Sequence, residues 1–192
     1  MNKQTLKEFF DDFAPRWDDE PIADKEIINT ILDNAGICES KNVLDVGCGT
    51  GVLFPYYLEK NVKSITAVDL SSEMVKIAKS KFPQVNIICG DAEEISFPKT
   101  FDCIMIYNAF PHFPNPQVLI ENLTKCLNVG GTLTIAHGMS KKELDEVHQK
   151  SAGKVSNILP ECEELARLLS PYFNMDIMIS NDKMYQVTGT KK

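Results

Sequence analysis

The chain has 192 residues and a formal net charge of −7, with 43% hydrophobic and 24% charged residues. This composition predicts a single globular domain, and because Lys and Arg are scattered it disfavours a nucleic-acid partner. No apolar run approaches the roughly 18 residues that span a bilayer, and the start, MNKQTLKEFF, lacks a signal peptide's apolar stretch, so we expect a cytoplasmic protein without membrane insertion.

The first predicted element is an amphipathic helix in the stretch LKEFFDDFAPRW. Its Phe9, Phe10 and Phe13 recur at helical spacing, so we expect them to face the core. Trp17 closes the stretch, and amphipathic tryptophans are frequent at the rims of pockets as well as in plain packing.

Short apolar runs then alternate with helical patterns. The runs are rich in β-branched residues and lie at 43–47, 65–69, 85–89, 102–107 and 132–136. Two intervening segments predict helices, 71–81 with Met74, Ile77 and Ala78 on one face, and 116–127 with Val118, Leu119, Leu123 and Leu127. Near-continuous apolar strands separated by helices predict an α/β fold, with a parallel sheet covered on both faces.

The pattern changes after His137. Ser140 and Glu143 form a capping-box signal, and a further helix is predicted over 160–169 with Pro160 in its first turn. Apolar stretches at 175–179 and 184–188 flank SNDK and predict an antiparallel hairpin at one edge of the sheet. We expect one domain over 1–192, with a helical N-terminal part (1–35), a ligand-binding core (40–137), and C-terminal helices and edge strands (138–192).

Three glycines follow the first predicted strand in VLDVGCGTG, with Asp45 ahead of them. Glycine lets a ligand approach the backbone, and the amides of a following helix suit an anionic group. The dinucleotide fingerprint G-x-G-x-x-G does not fit, because Val52 stands at its third glycine position. The turn therefore predicts a backbone surface on which a ligand binds. The alternative is that the glycines have a purely structural role.

Polar residues follow three later strands. Asp69, Asp91 and Asn108 stand at the ends of the second, third and fourth runs. Because the carboxyl ends of parallel strands share one edge of a sheet, we expect these side chains to face one crevice. A single such residue is commonly a helix cap, but a series along one edge favours a binding site.

These motifs together resemble the class I S-adenosylmethionine-dependent methyltransferases over residues 8 to 136. LDVGCGTG is similar to their first motif, GDAEEISFP to the segment that frames adenine, and LNVGGTLTIA to the stretch leading into the fifth strand. FFDDFAPRWDDE is also similar to the F-D-x-x-A-x-x-Y-D opening of the quinone C-methyltransferase branch, with Trp17 in place of the tyrosine. The resemblance implies a Rossmann-like, doubly wound, mostly parallel seven-stranded sheet.

The resemblance also implies S-adenosylmethionine as cofactor and S-adenosylhomocysteine as product. It assigns the glycine turn to the methionine portion, Asp69 to the ribose and Asp91 with Ala92 to the adenine, and it makes the N-terminal helix a lid. The residues implied in cofactor binding are Trp17, Asp45, Gly47, Cys48, Gly49, Gly51, Asp69, Leu70, Met74, Asp91, Ala92 and Asn108. For Met74, plain core packing is the alternative.

The loop NAFPHFPNP, residues 108–116, predicts the acceptor side of the site because its prolines restrict the backbone and its rings can wall an apolar pocket. His112 in this loop and His137 after the fifth strand are candidate general bases, because histidine titrates near neutral pH. The alternatives are a loop-bracing hydrogen bond for His112 and a satisfied near-core position for His137. His148, on a polar helix, is expected to face solvent.

Metal chemistry is not expected. The six cysteines stand singly, without a C-x-x-C pair, and predict buried reduced thiols, and the two candidate histidines lack a third ligand. The function expected is in-line transfer of a methyl group to a small-molecule acceptor, which the sequence does not identify. The rivals are a nicotinamide-dependent oxidoreductase and a non-catalytic domain that binds the cofactor for regulation; oligomeric state is left open.

Overall fold

The structure, a computed structural model, describes residues 2–19, 24–147 and 155–192. Its α-helices are α1 (Lys3–Phe13), α2 (Lys25–Asn34), α3 (Phe54–Glu59), α4 (Ser72–Lys81), α5 (Pro116–Lys125), α6 (Lys141–Val147) and α7 (Cys162–Leu169). Its strands are β1 (Asn42–Val46), β2 (Ser64–Asp69), β3 (Asn86–Cys89), β4 (Phe101–Tyr107), β5 (Leu127–His137), β6 (Phe173–Ser180) and β7 (Tyr185–Lys191). Short 3-10 turns cover Ala14–Asp19 and Phe110–His112.

The strands form one seven-stranded sheet in the order β3-β2-β1-β4-β5-β7-β6. β1 to β5 run parallel, and β7 pairs antiparallel with both β5 and β6. The predicted α/β class and edge hairpin are therefore confirmed. The order reverses at β1, so the carboxyl ends of β1 and β4 flank the crevice where such sheets bind ligands.

Helices cover both faces of the sheet. On one face, α5 and α7 bury Leu119, Leu123 and Leu165 against strand residues such as Ile104 and Leu133. On the other face, α2, α3 and α4 bury their apolar sides against β1, β2 and β4. The central parallel strands β1 and β4 are buried along nearly their whole length between these layers, which accounts for their near-continuous apolar runs in the sequence.

Several predicted details were wrong. Val118 is 46% exposed, and Ile120 takes the core position beside Leu119 instead. Leu127 begins β5 and does not end α5, because the helix stops at Lys125. The predicted helix over 160–169 starts at Cys162, after Glu161 and Glu164 cap it reciprocally, so Pro160 precedes the helix.

The N-terminal segment, which we define as α1 with its following turn (Lys3–Asp19), packs on α4. Phe9, Phe10 and Phe13 do not enter the main core as predicted. Phe9 and Phe10 are half-buried in a small separate cluster with Leu6 and Val155, because the helix packs on α4 and beside the cavity and not on the main core. The division of the domain at residues 35, 40 and 138 stays a prediction.

The cysteines are all free thiols. Cys48, Cys103, Cys126 and Cys162 are buried as expected, whereas Cys38 and Cys89 are exposed, because they lie in the turn before β1 and at the end of the edge strand β3. The prediction for His148 lies outside the described residues.

Candidate functional site

A cavity opens at the carboxyl end of the parallel strands. It encloses about 690 Å³, including the space at its mouth. Nine of the twelve residues predicted to bind cofactor lie on its wall: Trp17, Gly47, Gly49, Asp69, Leu70, Met74, Asp91, Ala92 and Asn108. His112 lies on the same wall, whereas Asp45, Cys48, Gly51 and His137 do not occur among its described lining residues.

The glycine turn links β1 to α3, and its glycines differ in what they contact. Gly47 and Gly49 line the cavity at φ of 72° and 54°, and a Cβ on Gly47 would lie 2.7 Å from the Cβ of Ala109. A Cβ on Gly51 would instead meet the Phe54 ring at 2.6 Å. Gly47 and Gly49 thus leave the cavity floor without side chains, Gly47 also makes room for Ala109, and Gly51 makes room for core packing on α3.

Asp69 ends β2 and braces this turn. One carboxylate oxygen accepts a hydrogen bond from the Gly49 amide at 2.8 Å, and the other accepts from the Ser71 amide at 2.9 Å. Burial raises the pKa of Asp69 above its ordinary value, and these two amides oppose that rise. Each oxygen retains a second lone pair, so the carboxylate can hold the turn and accept from a ligand hydroxyl at once.

Asp45 lies one layer beneath the cavity, on β1, and is 2% exposed. Burial raises its pKa to about 7; the Tyr57 hydroxyl lowers it, and the charge of Asp69 raises it further. Asp45 therefore binds a proton more readily than an ordinary carboxyl group does. A cation in the cavity would favour the ionised form, although Asp45 does not itself reach the wall.

The segment after β3 contains a buried carboxylate, Glu93, that the sequence analysis did not single out. Glu93 is 4% exposed, and its two oxygens accept from the backbone amide and the side-chain amide of Asn115 at 2.7 and 3.0 Å. The Lys3 ammonium lies 3.0 Å from the same carboxylate and 2.5 Å from Asp91. Glu93 thus joins the segment predicted to frame adenine to α1 and to the loop before α5.

Two acids of the N-terminal motif fasten the N-terminal segment to the floor of the site. Asp11 accepts from the Ser71 hydroxyl at 2.6 Å and from the Glu73 amide at 3.1 Å, so it caps α4 from another element. Asp18 accepts from the Thr50 hydroxyl at 2.6 Å and pairs with Lys81. The match of both acids to the opening motif was visible in the sequence, but these partners are 32 to 63 residues away.

His112 follows β4 in the turn that walls the cavity. Its Nδ1 lies 2.8 Å from the Val155 carbonyl and 3.0 Å from the Ser156 hydroxyl. Because a carbonyl can only accept, Nδ1 carries the proton in the neutral ring and Nε2 carries the lone pair. The Asn157 amide bonds the Pro111 carbonyl at 2.7 Å, so the chain after residue 154 holds this turn in place.

Asn108 and His137 were both predicted at strand ends. Asn108 lines the cavity with a φ of 53°, and its side chain accepts from the Gly138 amide at 3.1 Å. His137 is fully buried, with the Tyr185 ring 6.1 Å away. It ends β5, where it pairs with Tyr185 of β7, and its side chain lies inside the protein and not on the described wall of the cavity that carries His112.

Two other features bear on the kinds of site present. Within the described ranges, three or more His, Cys, Asp and Glu side chains nowhere gather in a way that would hold a metal ion. None of the helices in those ranges has both the length and the apolar character needed to cross a membrane.

Comparison with known proteins decides between the candidate families. Residues 44–135, from β1 to β5, match the methyltransferase domain family. The core of this chain belongs to the class I S-adenosylmethionine-dependent methyltransferases. The family's cofactor is S-adenosylmethionine, so the predicted family and cofactor are confirmed, and the nicotinamide-dependent alternative is set aside.

Individual relatives agree with this family. The chain is 34% identical over 139 residues to the malonyl-[acyl-carrier protein] O-methyltransferase of Priestia megaterium, covering 69% of this chain and 51% of that one. It is 29% identical over 143 residues to the ubiquinone biosynthesis O-methyltransferase of Coxiella burnetii, covering 69% and 61%. The chain therefore spans about half to three fifths of the length of these relatives.

A solved structure shares the whole fold. The S-adenosylmethionine-dependent methyltransferase of Aquifex aeolicus superposes with a TM-score of 0.71 at 20% identity, over 100% of both chains. This likeness concerns the fold alone, including the antiparallel edge strands. The finer resemblance to the quinone C-methyltransferase branch stays a prediction.

Proposed function

We propose that this chain transfers the methyl group of S-adenosylmethionine to a small-molecule acceptor. One observation carries the proposal: a single cavity joins the bare glycine turn and Asp69 on one side to the aromatic turn with His112 on the other. Cofactor and acceptor would thus share one enclosed space, as direct transfer requires. A cytoplasmic location remains part of this proposal.

The residues present fit the cofactor. A Cβ on Gly49 would lie 3.5 Å from the Trp17 indole nitrogen, so the bare turn faces the N-terminal segment across a narrow gap. In this proposal the glycine turn holds the methionine portion, Asp69 accepts from the ribose hydroxyls, and Asp91 and Ala92 border the adenine. When bound, S-adenosylmethionine supplies an activated methyl group on a positively charged sulfur.

The protein's own contribution is orientation and the handling of one proton. Trp17 and Phe113 line the cavity beside the glycine turn, where their rings would help to exclude water from the transferred methyl group. His112 takes the proton of the acceptor on Nε2, because Nδ1 is held as a donor by the Val155 carbonyl. Without a base, an acceptor that ionises only above neutral pH would remain protonated and react slowly.

Binding and turnover test the proposal together. S-adenosylhomocysteine should raise the melting temperature of the protein, because a ligand that binds only the native state stabilises it. A panel of small acceptors, screened by mass spectrometry, should then yield a methylated product and an equal amount of S-adenosylhomocysteine. Binding without turnover on any acceptor would favour the non-catalytic, regulatory alternative.

A variant tests the base. His112→Ala should slow methyl transfer to an acceptor with an ionisable proton by roughly 10²–10⁴-fold. The affinity for S-adenosylhomocysteine, measured by calorimetry, is the internal control, because none of the cofactor contacts assigned here uses His112. A variant with wild-type turnover would remove His112 from the mechanism and leave orientation as the protein's contribution.

A further inference from the structure

We propose that the acceptor is an electrically neutral aromatic hydroxyl compound, a phenol or catechol, and that carboxylic acids are poor acceptors. This inference rests on the proposed methyl transfer and adds the chemical class of the molecule that receives the methyl group. Three features of the cavity support it: its rings, its charge and the state of His112.

Three rings, those of Phe10, His112 and Phe113, lie on the part of the cavity wall that the cofactor residues do not form, beside the aliphatic side chains of Leu6, Val68, Ala109 and Pro114. Phe10 meets His112 edge to face with centroids 4.9 Å apart, and Phe10 meets Trp17 in the same way at 5.9 Å. Phe113 lines the same wall. Ring edges and faces arranged at these separations favour a flat aromatic partner over a flexible aliphatic chain.

The charge of the cavity disfavours an acid. Lys3 is the one lysine or arginine among the described lining residues, and its ammonium lies 2.5, 3.0 and 2.9 Å from Asp91, Glu93 and Glu94. Asp69 adds a further carboxylate to the wall. An acidic acceptor would therefore bring a negative charge into a cavity that already has carboxylates on its wall. The ammonium of Lys3 already pairs with three carboxylates, so the acid would lack a cationic side chain as partner, and an unpaired charge removed from water is costly.

A hydroxyl suits the imidazole better than an amine does. An aliphatic amine arrives as an ammonium at neutral pH, which places a second positive charge beside the cofactor's sulfonium. A phenol arrives neutral. Its proton goes to Nε2 of His112 while its oxygen bonds the methyl carbon, and the electron pair of the broken carbon–sulfur bond stays on the sulfur. The products are an aryl methyl ether, S-adenosylhomocysteine and an imidazolium, which returns the proton to solvent.

Binding can be measured separately from turnover. Trp17 is the single tryptophan of the chain and lines the cavity, so its fluorescence reports what enters. The protein is first saturated with S-adenosylhomocysteine and then titrated with catechol or with 3,4-dihydroxybenzoate, which is the same ring with an added carboxylate. We expect catechol to bind at least about tenfold more tightly, because the added charge faces uncompensated carboxylates.

Turnover is then compared with S-adenosylmethionine and four acceptors: catechol, 3,4-dihydroxybenzoate, benzylamine and malonyl-coenzyme A. Methylation of catechol in preference to the other three supports the inference. Preference for 3,4-dihydroxybenzoate, benzylamine or malonyl-coenzyme A overturns it. A protein that binds S-adenosylhomocysteine but neither binds nor methylates catechol overturns this inference alone, whereas failure to bind S-adenosylhomocysteine overturns the proposed function as well.

Two variants separate the roles of ring and base. Phe10→Leu should raise the KM for catechol about 2- to 12-fold, the loss expected for one aromatic contact, whereas Phe9→Leu should change it less than about twofold. Phe9 is the matched control because it neighbours Phe10 on α1 but does not occur among the described lining residues. Equal effects of Phe10→Leu and Phe9→Leu on the KM would contradict a contact between the Phe10 ring and the acceptor.

His112→Ala should slow transfer to catechol by roughly 10²–10⁴-fold but transfer to 4-nitrocatechol, measured at pH 8, by less than about tenfold. The nitro compound is already largely ionised at that pH and needs no base. A loss of the same size with both compounds would assign His112 a role in holding the ring and would overturn the proton transfer.

Discussion

Replacing Asp11 by asparagine should loosen the N-terminal segment from the cavity. The Asp11 carboxylate accepts from the Ser71 hydroxyl and the Glu73 amide and pairs with Lys7. Asparagine keeps the size of the side chain and one acceptor oxygen but loses the charge. The change therefore removes the charge-assisted part of these contacts without creating a cavity.

The pKa of Asp11 gives the size of the effect. Burial alone would raise it, but Lys7, Ser71 and the Glu73 amide lower it from the ordinary value of 3.8 to about 2. Each pKa unit corresponds to about 1.4 kcal/mol. The difference would amount to roughly 2.5 kcal/mol for a fully buried group, and because the side chain is 20% exposed we expect about 1–2 kcal/mol.

Hydrogen exchange is the appropriate assay, because it detects local opening of a segment separately from unfolding of the whole domain. Amides of α1 should exchange about 5- to 30-fold faster in Asp11→Asn at pH 7, the factor that corresponds to about 1–2 kcal/mol. Asp12→Asn is the matched control, since Asp12 is exposed and adjacent on the same helix. It should change exchange by less than about twofold.

The pH dependence has a definite sign. A carboxyl with a lowered pKa in the folded state stabilises fully above its unfolded pKa and loses this stabilisation as pH falls from about 4 to about 2. The wild type should therefore open its N-terminal segment over that window, and Asp11→Asn should lack this component. If Asp11→Asn and Asp12→Asn exchange at the same rate at neutral pH, the capping of α4 by Asp11 contributes nothing and the reasoning fails.

Three further predictions concern one residue of the cavity wall, Asp69, and two that are not among its described lining residues, Asp45 and Glu93. Asp69→Asn should weaken S-adenosylhomocysteine binding by about 1.5–3 kcal/mol in calorimetry. It should also lower the melting temperature, because one of the two backbone amides that donate to Asp69 loses its acceptor. Unchanged affinity would mean that the ribose binds elsewhere. The raised pKa of Asp45 stabilises the protein below about pH 4, and this contribution is lost as pH rises to about 7. The melting temperature of the unliganded protein should therefore fall over that pH range, and Asp45→Asn should make the fall smaller. Melting temperatures that fall equally with pH in wild type and variant would contradict the assignment. Glu93→Gln should weaken the contacts that join Lys3 to Asn115 through the Glu93 carboxylate. It should therefore raise the KM for the acceptor more than it lowers kcat. An equal fall in kcat and kcat/KM would mean instead that Glu93 acts only in the transition state.

The sequence by itself determined the layered α/β fold and the position of the site. Strands buried on both faces must be apolar throughout, and a turn that a ligand approaches must be bare, so β1 and the glycines Gly47 and Gly49 carry local signals. Asp69 and Asn108 were visible for the same reason. Each follows a strand, and parallel strands bring their ends to one edge whatever the details of packing.

Only the tertiary structure decided what the neighbouring residues do. Gly51 belongs to the same motif as Gly47, yet it accommodates the Phe54 ring, and His137 ends a strand as Asn108 does, yet it lies in the interior. These differences depend on what the next layer places against each residue. Periodicity in the chain carries no information about that layer.

The same holds for the contacts that close the site. Asp11 caps a helix 60 residues away, and His112 owes its tautomer to a carbonyl 43 residues further along the chain. A hydrogen bond depends on the distance and direction between two groups, and for groups far apart in sequence these are set by the packing of whole elements. The sequence supplied the chemical groups, and the fold supplied their partners.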